Sequence, residues 1–95
     1  MATTKEYKDY VLEELSELNN ITYKPMMGEY LLYYNNILFG GIYDDRLLVK
    51  KTSSNSKYNM EEAIPYESAK AMYLVDSEDR DLLKDIVLDT YNDLK

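Results

Sequence analysis

The stretch that decides the fold runs from Met26 to Lys51 and reads MMGEYLLYYNNILFGGIYDDRLLVKK. It contains three apolar runs rich in Tyr, Leu, Ile and Val, which are separated by Asn35-Asn36 and Asp44-Asp45. Apolar runs of this length between turn-forming pairs are typical of an antiparallel meander. The second run includes Gly40-Gly41, a pair that inside a strand indicates a bulge, a strong twist or the close approach of another backbone. The rest of the chain is therefore expected to cover this sheet.

The segments on either side of the meander add strands. Residues Ile21 to Met27 alternate and predict a first strand. Because proline cannot donate to a ladder, Pro25 indicates that this strand lies at a sheet edge or is bulged. Thr52 to Asn59 is polar and fits either a short helix or an excursion, while Met60 to Tyr66 is expected to be irregular. Ala69 to Val75 fits a last strand, and its Ala, Lys and Met residues also fit a helical turn. As a strand, it gives a sheet of about five strands.

Two helices are predicted at the chain ends. The first spans Thr3 to Leu18, with Thr3 and Glu6 in capping-box spacing and Lys8 on the solvent side. The second follows Asp76, whose carboxylate suits an N-cap. Apolar side chains recur at helical spacing in both helices, namely Tyr7, Val11, Leu15 and Leu18 in the first and Leu83, Val87, Tyr91 and Leu94 in the second. The pattern predicts a single α+β domain over residues 1–95, a two-layer sandwich whose antiparallel sheet is covered by the terminal helices.

Composition narrows the function classes. The chain has no Cys and no His, so thiol nucleophiles, Ser-His triads and structural zinc sites are excluded, and no catalytic constellation is visible among the remaining residues. The net charge is −7, and all of it lies in the first and last twenty residues, because basic and acidic groups balance between Ile21 and Val75. A binder of phosphate backbones needs a basic stripe, so direct binding of nucleic acid is not expected. The polar N-terminus and short apolar runs predict a cytoplasmic protein without a membrane anchor.

Two acidic groups could in principle hold a hard cation. Asp44-Asp45 and the cluster from Asp76 to Asp81 do not have the ligand spacing of a calcium loop. Turn formation and helix capping account for both groups. We expect neither a metal site nor a cofactor.

The chain resembles the N-terminal domain of the TfoX/Sxy competence regulators in the order of its elements and in several short sequence motifs. The matching segments are the helix KDYVLEELSEL, the word Lys24-Pro25-Met26-Met27-Gly28, the hairpin LLYYNNILFGGIYDDRLLVKK, and AMYLV followed by an acidic helix start. The resemblance covers about residues 5–94. It implies a fold similar to that of secretion chaperones and a role without catalysis. In the full regulators, this domain precedes a second domain, and the protein promotes transcription of DNA-uptake genes together with a DNA-bound activator.

Two functional hypotheses follow. The first is a small regulatory module that binds a protein partner through the face or edge of its sheet, with a transcription regulator as one candidate partner and a homodimer as another arrangement. Its candidate partner surface consists of Lys24, Met26, Met27, Gly28, Tyr30, Lys50 and Lys51. The alternative is a nucleic-acid accessory protein that stacks bases on Tyr30, Tyr33 or Tyr34 beside Lys50 and Lys51. Tyr more often packs its ring in a sheet with a solvated hydroxyl, which favours the first hypothesis.

Overall fold

The computed structural model describes residues 2–95 and confirms the α+β architecture. A single antiparallel sheet has the spatial order β1-β2-β3-β4-β6-β5, and a helix lies at each end of the chain. The sheet has six strands rather than about five, because Glu62–Ala63 pairs with the last strand in a segment that was expected to be irregular. The elements are α1 (Lys5–Glu14), β1 (Ile21–Met26), β2 (Glu29–Tyr34), β3 (Ile37–Ile42), β4 (Leu47–Val49), a 3-10 turn (Ser56–Tyr58), β5 (Glu62–Ala63), β6 (Met72–Leu74) and α2 (Arg80–Leu94).

Three two-residue turns set the register of the meander. Both residues of each turn have positive φ, as a type I′ hairpin requires. The values are 51° and 87° at Met27 and Gly28, 49° and 66° at Asn35 and Asn36, and 53° and 56° at Asp44 and Asp45. The predicted meander and its turn positions are therefore confirmed, and β1 with its Pro25 lies at the edge of the sheet as expected.

Gly40 and Gly41 lie where neighbouring backbones come close. The register between β2 and β3 shifts between Leu32 and Tyr33, which marks a bulge in β3. A Cβ atom on Gly40 would lie 2.2 Å from the carbonyl oxygen of Leu48 in β4. Only glycine fits there, so the close approach predicted for this pair is confirmed. The bulge lies directly beside the pair, at Phe39.

The core lies between one face of the sheet and the two helices. Alternate side chains of the central strands point into it, because successive residues of a strand face opposite sides. Its fully or nearly fully buried members are Val11, Leu15, Leu18, Leu32, Phe39, Ile42, Leu47, Val49, Val75, Leu83, Ile86 and Val87. The other face of the sheet carries neither helix.

The predicted helix starts are wrong by one residue in α1 and by three residues in α2. Thr4, not Thr3, caps α1, and its hydroxyl accepts a hydrogen bond from the Tyr7 N–H. Thr3 instead donates from its backbone N–H to the Gly28 carbonyl and from its hydroxyl to Glu29, which ties it to the β1-β2 hairpin. α1 also ends at Glu14 rather than Leu18.

The cap of α2 is Asp79 rather than Asp76. The Asp79 carboxylate accepts hydrogen bonds from the N–H groups of Asp81 and Leu82. Asp76 follows the buried Val75 directly, where the chain is still leaving the sheet. A connection of four residues, 75–78, therefore separates β6 from the cap.

The expected solvent position of Lys8 is also wrong. Lys8 is only 7% exposed. Its ammonium lies 4.7 Å from the centroid of the Tyr23 ring and 2.8 Å from an Asp9 carboxylate oxygen. The aliphatic stem of a lysine can cover a sheet while its charge stacks on an aromatic ring.

Within residues 2–95, no helix is long and apolar enough to cross a membrane.

A buried polar link holds the excursion between β4 and β5 against α2. Asn55 and Thr90 are both fully buried, and the Asn55 side-chain amide donates to the Thr90 hydroxyl at 2.8 Å. The same amide nitrogen donates to the carbonyl of Lys50 at 2.7 Å. The polar segment Thr52 to Asn59 therefore forms an ordered excursion with one turn of 3-10 helix, which confirms the sequence expectation.

Candidate partner-binding surface

The face of the sheet opposite the helices forms the candidate site. The register places the side chains of Lys24 and Met26 of β1, Leu31 of β2 and Leu38 of β3 on this face, because their neighbours in sequence point towards the core. These side chains are aliphatic or carry a long aliphatic stem. We call this side of the sheet the open face.

A loop over residues 64–71 turns part of the open face into a groove. The Arg46 guanidinium holds the start of this loop, since it donates to the carbonyls of Tyr43 and Ile64 at 3.2 and 3.1 Å. Pro65 of this loop is buried, and the rings of Tyr43 and Tyr66 pack with their centroids 6.1 Å apart. The loop therefore stands as a wall beside the strands.

The resulting space, called the open-face groove below, has a volume of about 790 Å³. This volume lies within the usual range of binding pockets. The groove is lined by Met26, Leu31, Leu38, Gly40, Tyr43, Lys50, Lys51, Pro65, Tyr66, Ala69, Lys70, Ala71 and Met72. Its floor is mainly aliphatic and methionine, and its charged lining groups are all lysines.

The lysines of the groove differ in how they are neutralised. The Lys51 ammonium lies 2.9 Å from a Glu62 carboxylate oxygen, and this hydrogen bond is the main reason that the pKa of Lys51 is raised above its usual value. Among residues 2–95, no carboxylate lies within ion-pair distance of Lys50 or Lys70. Two positive charges at the groove therefore have no partner of opposite sign within that part of the chain.

Tyr43 supplies the aromatic part of the groove wall. Burial raises the pKa of the Tyr43 hydroxyl, and the neighbouring Tyr66 adds to this effect. Tyr43 therefore stays neutral over the physiological pH range. Tyr66 is 57% exposed and presents its ring to solvent at the mouth of the groove.

The residues proposed from sequence separate into three groups. Met26, Lys50 and Lys51 line the groove, and Lys24 lies on the same face of β1 as Met26. Met27 and Gly28 form the tip of the β1-β2 hairpin, where Met27 is 98% exposed. The structure therefore brings four of the seven predicted residues onto one face and puts two more at its end.

Tyr30 does not belong to this surface. It faces the helix side of the sheet, where its ring packs against the core and lies 5.6 Å from the Lys8 ammonium. Tyr34 is also on the helix side and meets Tyr91 edge to face, with ring centroids 4.8 Å apart. Tyr33 alternates with both and points to the open face, so the three tyrosines of the nucleic-acid hypothesis do not form one stacking platform.

Sequence reasoning missed the far wall of the groove. Tyr66, Lys70 and Met72 contribute to it, although they lie in a segment whose strands were placed only approximately. Strand alternation could have assigned Leu31 and Leu38 to the face of Met26, but no local pattern indicates that the loop over residues 64–71 folds beside them. Among residues 2–95, no group of three carboxylates is placed to hold a metal ion.

Fold and site together define a class of protein. It is a small two-layer α+β module in which two terminal helices cover one face of an antiparallel sheet, while the other face carries a groove with an apolar floor and lysines at its rim. Within that class, the chain belongs to the TfoX N-terminal domain family, whose sequence model matches residues 13–91. The matched region includes every residue that lines the open-face groove. This match confirms the resemblance to the N-terminal domain of competence regulators.

One curated protein is similar in sequence to this chain over most of its length. The chain is similar to an uncharacterized 12.7 kDa protein in the trpE 5′ region of Spirochaeta aurantia. The two are 31% identical over 78 residues, which cover 80% of this chain and 68% of the relative.

Proposed function

We propose that this protein is a non-enzymatic regulatory module of the competence-regulator type, and that it acts by binding a protein partner in the open-face groove. The observation that carries the proposal is an aliphatic surface on the open face that neither helix covers. Exposed apolar surface rimmed by polar groups is characteristic of interaction sites. Met26 and Met72 suit such a site, because methionine side chains repack readily against different partners.

The absence of catalysis belongs to the same proposal. The sequence provides neither Cys nor His, and the groove lining contains no Asp, Glu, Ser or Thr. The usual general acids, general bases and hydroxyl nucleophiles are therefore missing from the place where a ligand would sit. Tyr43 and the lysines serve better as contacts than as reacting groups.

The proposal can be tested with a pair of matched variants. Tyr66→Glu places a charge at the mouth of the groove, whereas Tyr10→Glu makes the same change on α1, away from the groove. Both tyrosines are exposed, at 57% and 43%, so both variants should keep the fold, which circular dichroism and thermal melting would verify. Tagged wild-type protein and the two variants would be used to capture partners from a native lysate of the source cells, with proteins identified by mass spectrometry.

The expected result is a stoichiometric protein that wild type and Tyr10→Glu retain and Tyr66→Glu loses. Purified partner should then show the same difference in affinity by calorimetry. A partner that Tyr66→Glu retains would move the binding site elsewhere. If no protein is captured and light scattering shows only a dimer, the proposal is wrong and the protein self-associates instead.

A further inference from the structure

The charge of the groove indicates what kind of segment it takes. The chain as a whole has a net charge of −7, yet its groove is lined by Lys50, Lys51 and Lys70 and by no carboxylate. Lys24 adds a fourth lysine on the same face. A local excess of positive charge on an acidic protein would attract an anionic partner and repel a cationic one.

The floor of the groove limits that partner further. Leu31, Leu38 and Met72 offer aliphatic and thioether surface rather than flat aromatic rings. A nucleic-acid strand binds without sequence preference by stacking its bases on aromatic side chains, and Tyr66 is the one lining aromatic with an exposed ring. Aliphatic side chains of a peptide fill such a floor better than bases do. The observations therefore favour a protein segment over a nucleic acid.

A second copy of this chain does not meet the requirement. Both helices are acidic, but each buries its apolar stripe against its own sheet, as Val11 and Leu15 do in α1 and Leu83 and Val87 do in α2. A second copy could offer carboxylates to the lysines but no free apolar stripe to the floor. The occupant must carry both features at once.

We infer that the open-face groove binds an acidic amphipathic segment of another protein, in which Asp or Glu alternates with Leu, Ile, Met or Phe at helical spacing. This inference rests on the proposed function and specifies the chemistry of its partner. The apolar side chains of the segment lie on the aliphatic floor, in the manner of a helix bound in a groove. Its carboxylates pair with Lys50 and Lys70, which have no such partner among residues 2–95, and compete with Glu62 for Lys51.

The test uses fluorescence anisotropy with defined probes and the full chain. The first probe is a short labelled peptide with Leu and Glu arranged as an amphipathic helix. The second has Lys in place of Glu, the third has the composition of the first in a scrambled order, and the fourth is a labelled oligothymidylate. The protein variants are Lys50→Glu/Lys70→Glu at the groove and Lys5→Glu/Lys95→Glu at the chain ends, which change the net charge equally.

Wild type should bind the first probe and neither the second nor the third. Binding should weaken with added salt, because the screening length falls from about 10 Å at 0.1 M to about 3 Å at 1 M. The groove variant should bind about ten- to thirty-fold more weakly, since two attractions of surface ion-pair size become repulsions, and the chain-end variant should bind as wild type does.

The outcomes separate this inference from the proposed function. If Tyr66→Glu loses a captured partner while Lys50→Glu/Lys70→Glu retains it, the groove binds a protein but not through acidic groups, and the inference is overturned. If the first probe does not bind, or the scrambled peptide binds equally well, the inference is also overturned. Preferential binding of the oligothymidylate would overturn it in favour of a nucleic-acid ligand.

Discussion

Thr90→Val should destabilise the protein by removing the buried hydrogen bond that joins the excursion to α2. Thr90 accepts a hydrogen bond from the Asn55 side-chain amide at 2.8 Å and donates one to the Ile86 carbonyl at 2.7 Å. Valine has nearly the shape of threonine and a similar helix propensity, so the change leaves no cavity and does not disfavour the helix. The substitution leaves one N–H of the buried Asn55 amide without an acceptor.

The magnitude follows from that unsatisfied group. A buried donor without a partner costs about 1 to 3 kcal/mol of folding free energy. In a domain of this size, each kcal/mol corresponds to a change in Tm of roughly 4 to 8 °C. We therefore expect the Tm of Thr90→Val to fall by about 4 to 24 °C, with the free energy of unfolding lowered by about 1 to 3 kcal/mol.

The assay is urea unfolding followed by circular dichroism, together with thermal melts. Thr22→Val is the matched control, because Thr22 lies exposed on β1 and the same substitution there should change stability by less than about 0.5 kcal/mol. The double variant Asn55→Ala/Thr90→Val should lose less than the sum of the two single losses, since both disturb one hydrogen bond. A loss at Thr90 no larger than that at Thr22, or strict additivity, would refute the reasoning.

Two further substitutions test a turn and a titrating group. Met27→Asn should raise stability by about 0.5 kcal/mol and Tm by about 2 to 4 °C, because Asn tolerates the φ of 51° at this turn position better than Met does. A lower Tm would show that the Met27 side chain makes a stabilising contact. Burial and the hydrogen bond to Asp89 raise the pKa of Tyr58 from 10.0 to about 12. The folded state therefore favours the neutral hydroxyl, and this stabilisation is complete below about pH 10 and is lost as the pH rises from 10 towards 12. Tyr58→Phe should show a smaller fall in Tm between about pH 9 and pH 11 than wild type, and equal falls would contradict this assignment.

The meander could be predicted from sequence because its signals are local. The strand boundaries follow from three pairs of adjacent turn residues. The close backbone contact follows from one further adjacent pair, Gly40-Gly41. The two-residue strand Glu62–Ala63 could not be predicted in the same way. It pairs with β6 across the eight residues 64–71, and nothing within Met60 to Tyr66 distinguishes it from irregular chain.

The errors at polar residues have a common physical cause. Lys8 has a helical position that faces solvent by spacing, but the hairpin of β1 and β2 brings Tyr23 over it. Thr3 has the spacing of a cap, but Glu29 of the same hairpin offers it stronger partners. In both cases a contact distant in sequence decides the position of a polar side chain, and a helical pattern contains no information about such contacts.

The sequence could predict which strand face carries the candidate site, but it could not predict the groove. Val49 faces the core, so alternation along β4 assigns Lys50 to the open face. The groove itself exists because the loop over residues 64–71 lies beside that face. Because β4 directs Leu47 and Val49 into the core and Lys50 away from it, a charge change at Lys50 removes no apolar contact from the core. Asn55 connects the two roles, since the amide that bonds Thr90 in the interior also holds the backbone carbonyl of Lys50 at the rim. Loss of that amide should therefore affect both stability and binding, whereas substitution of the lysine side chain should affect binding alone.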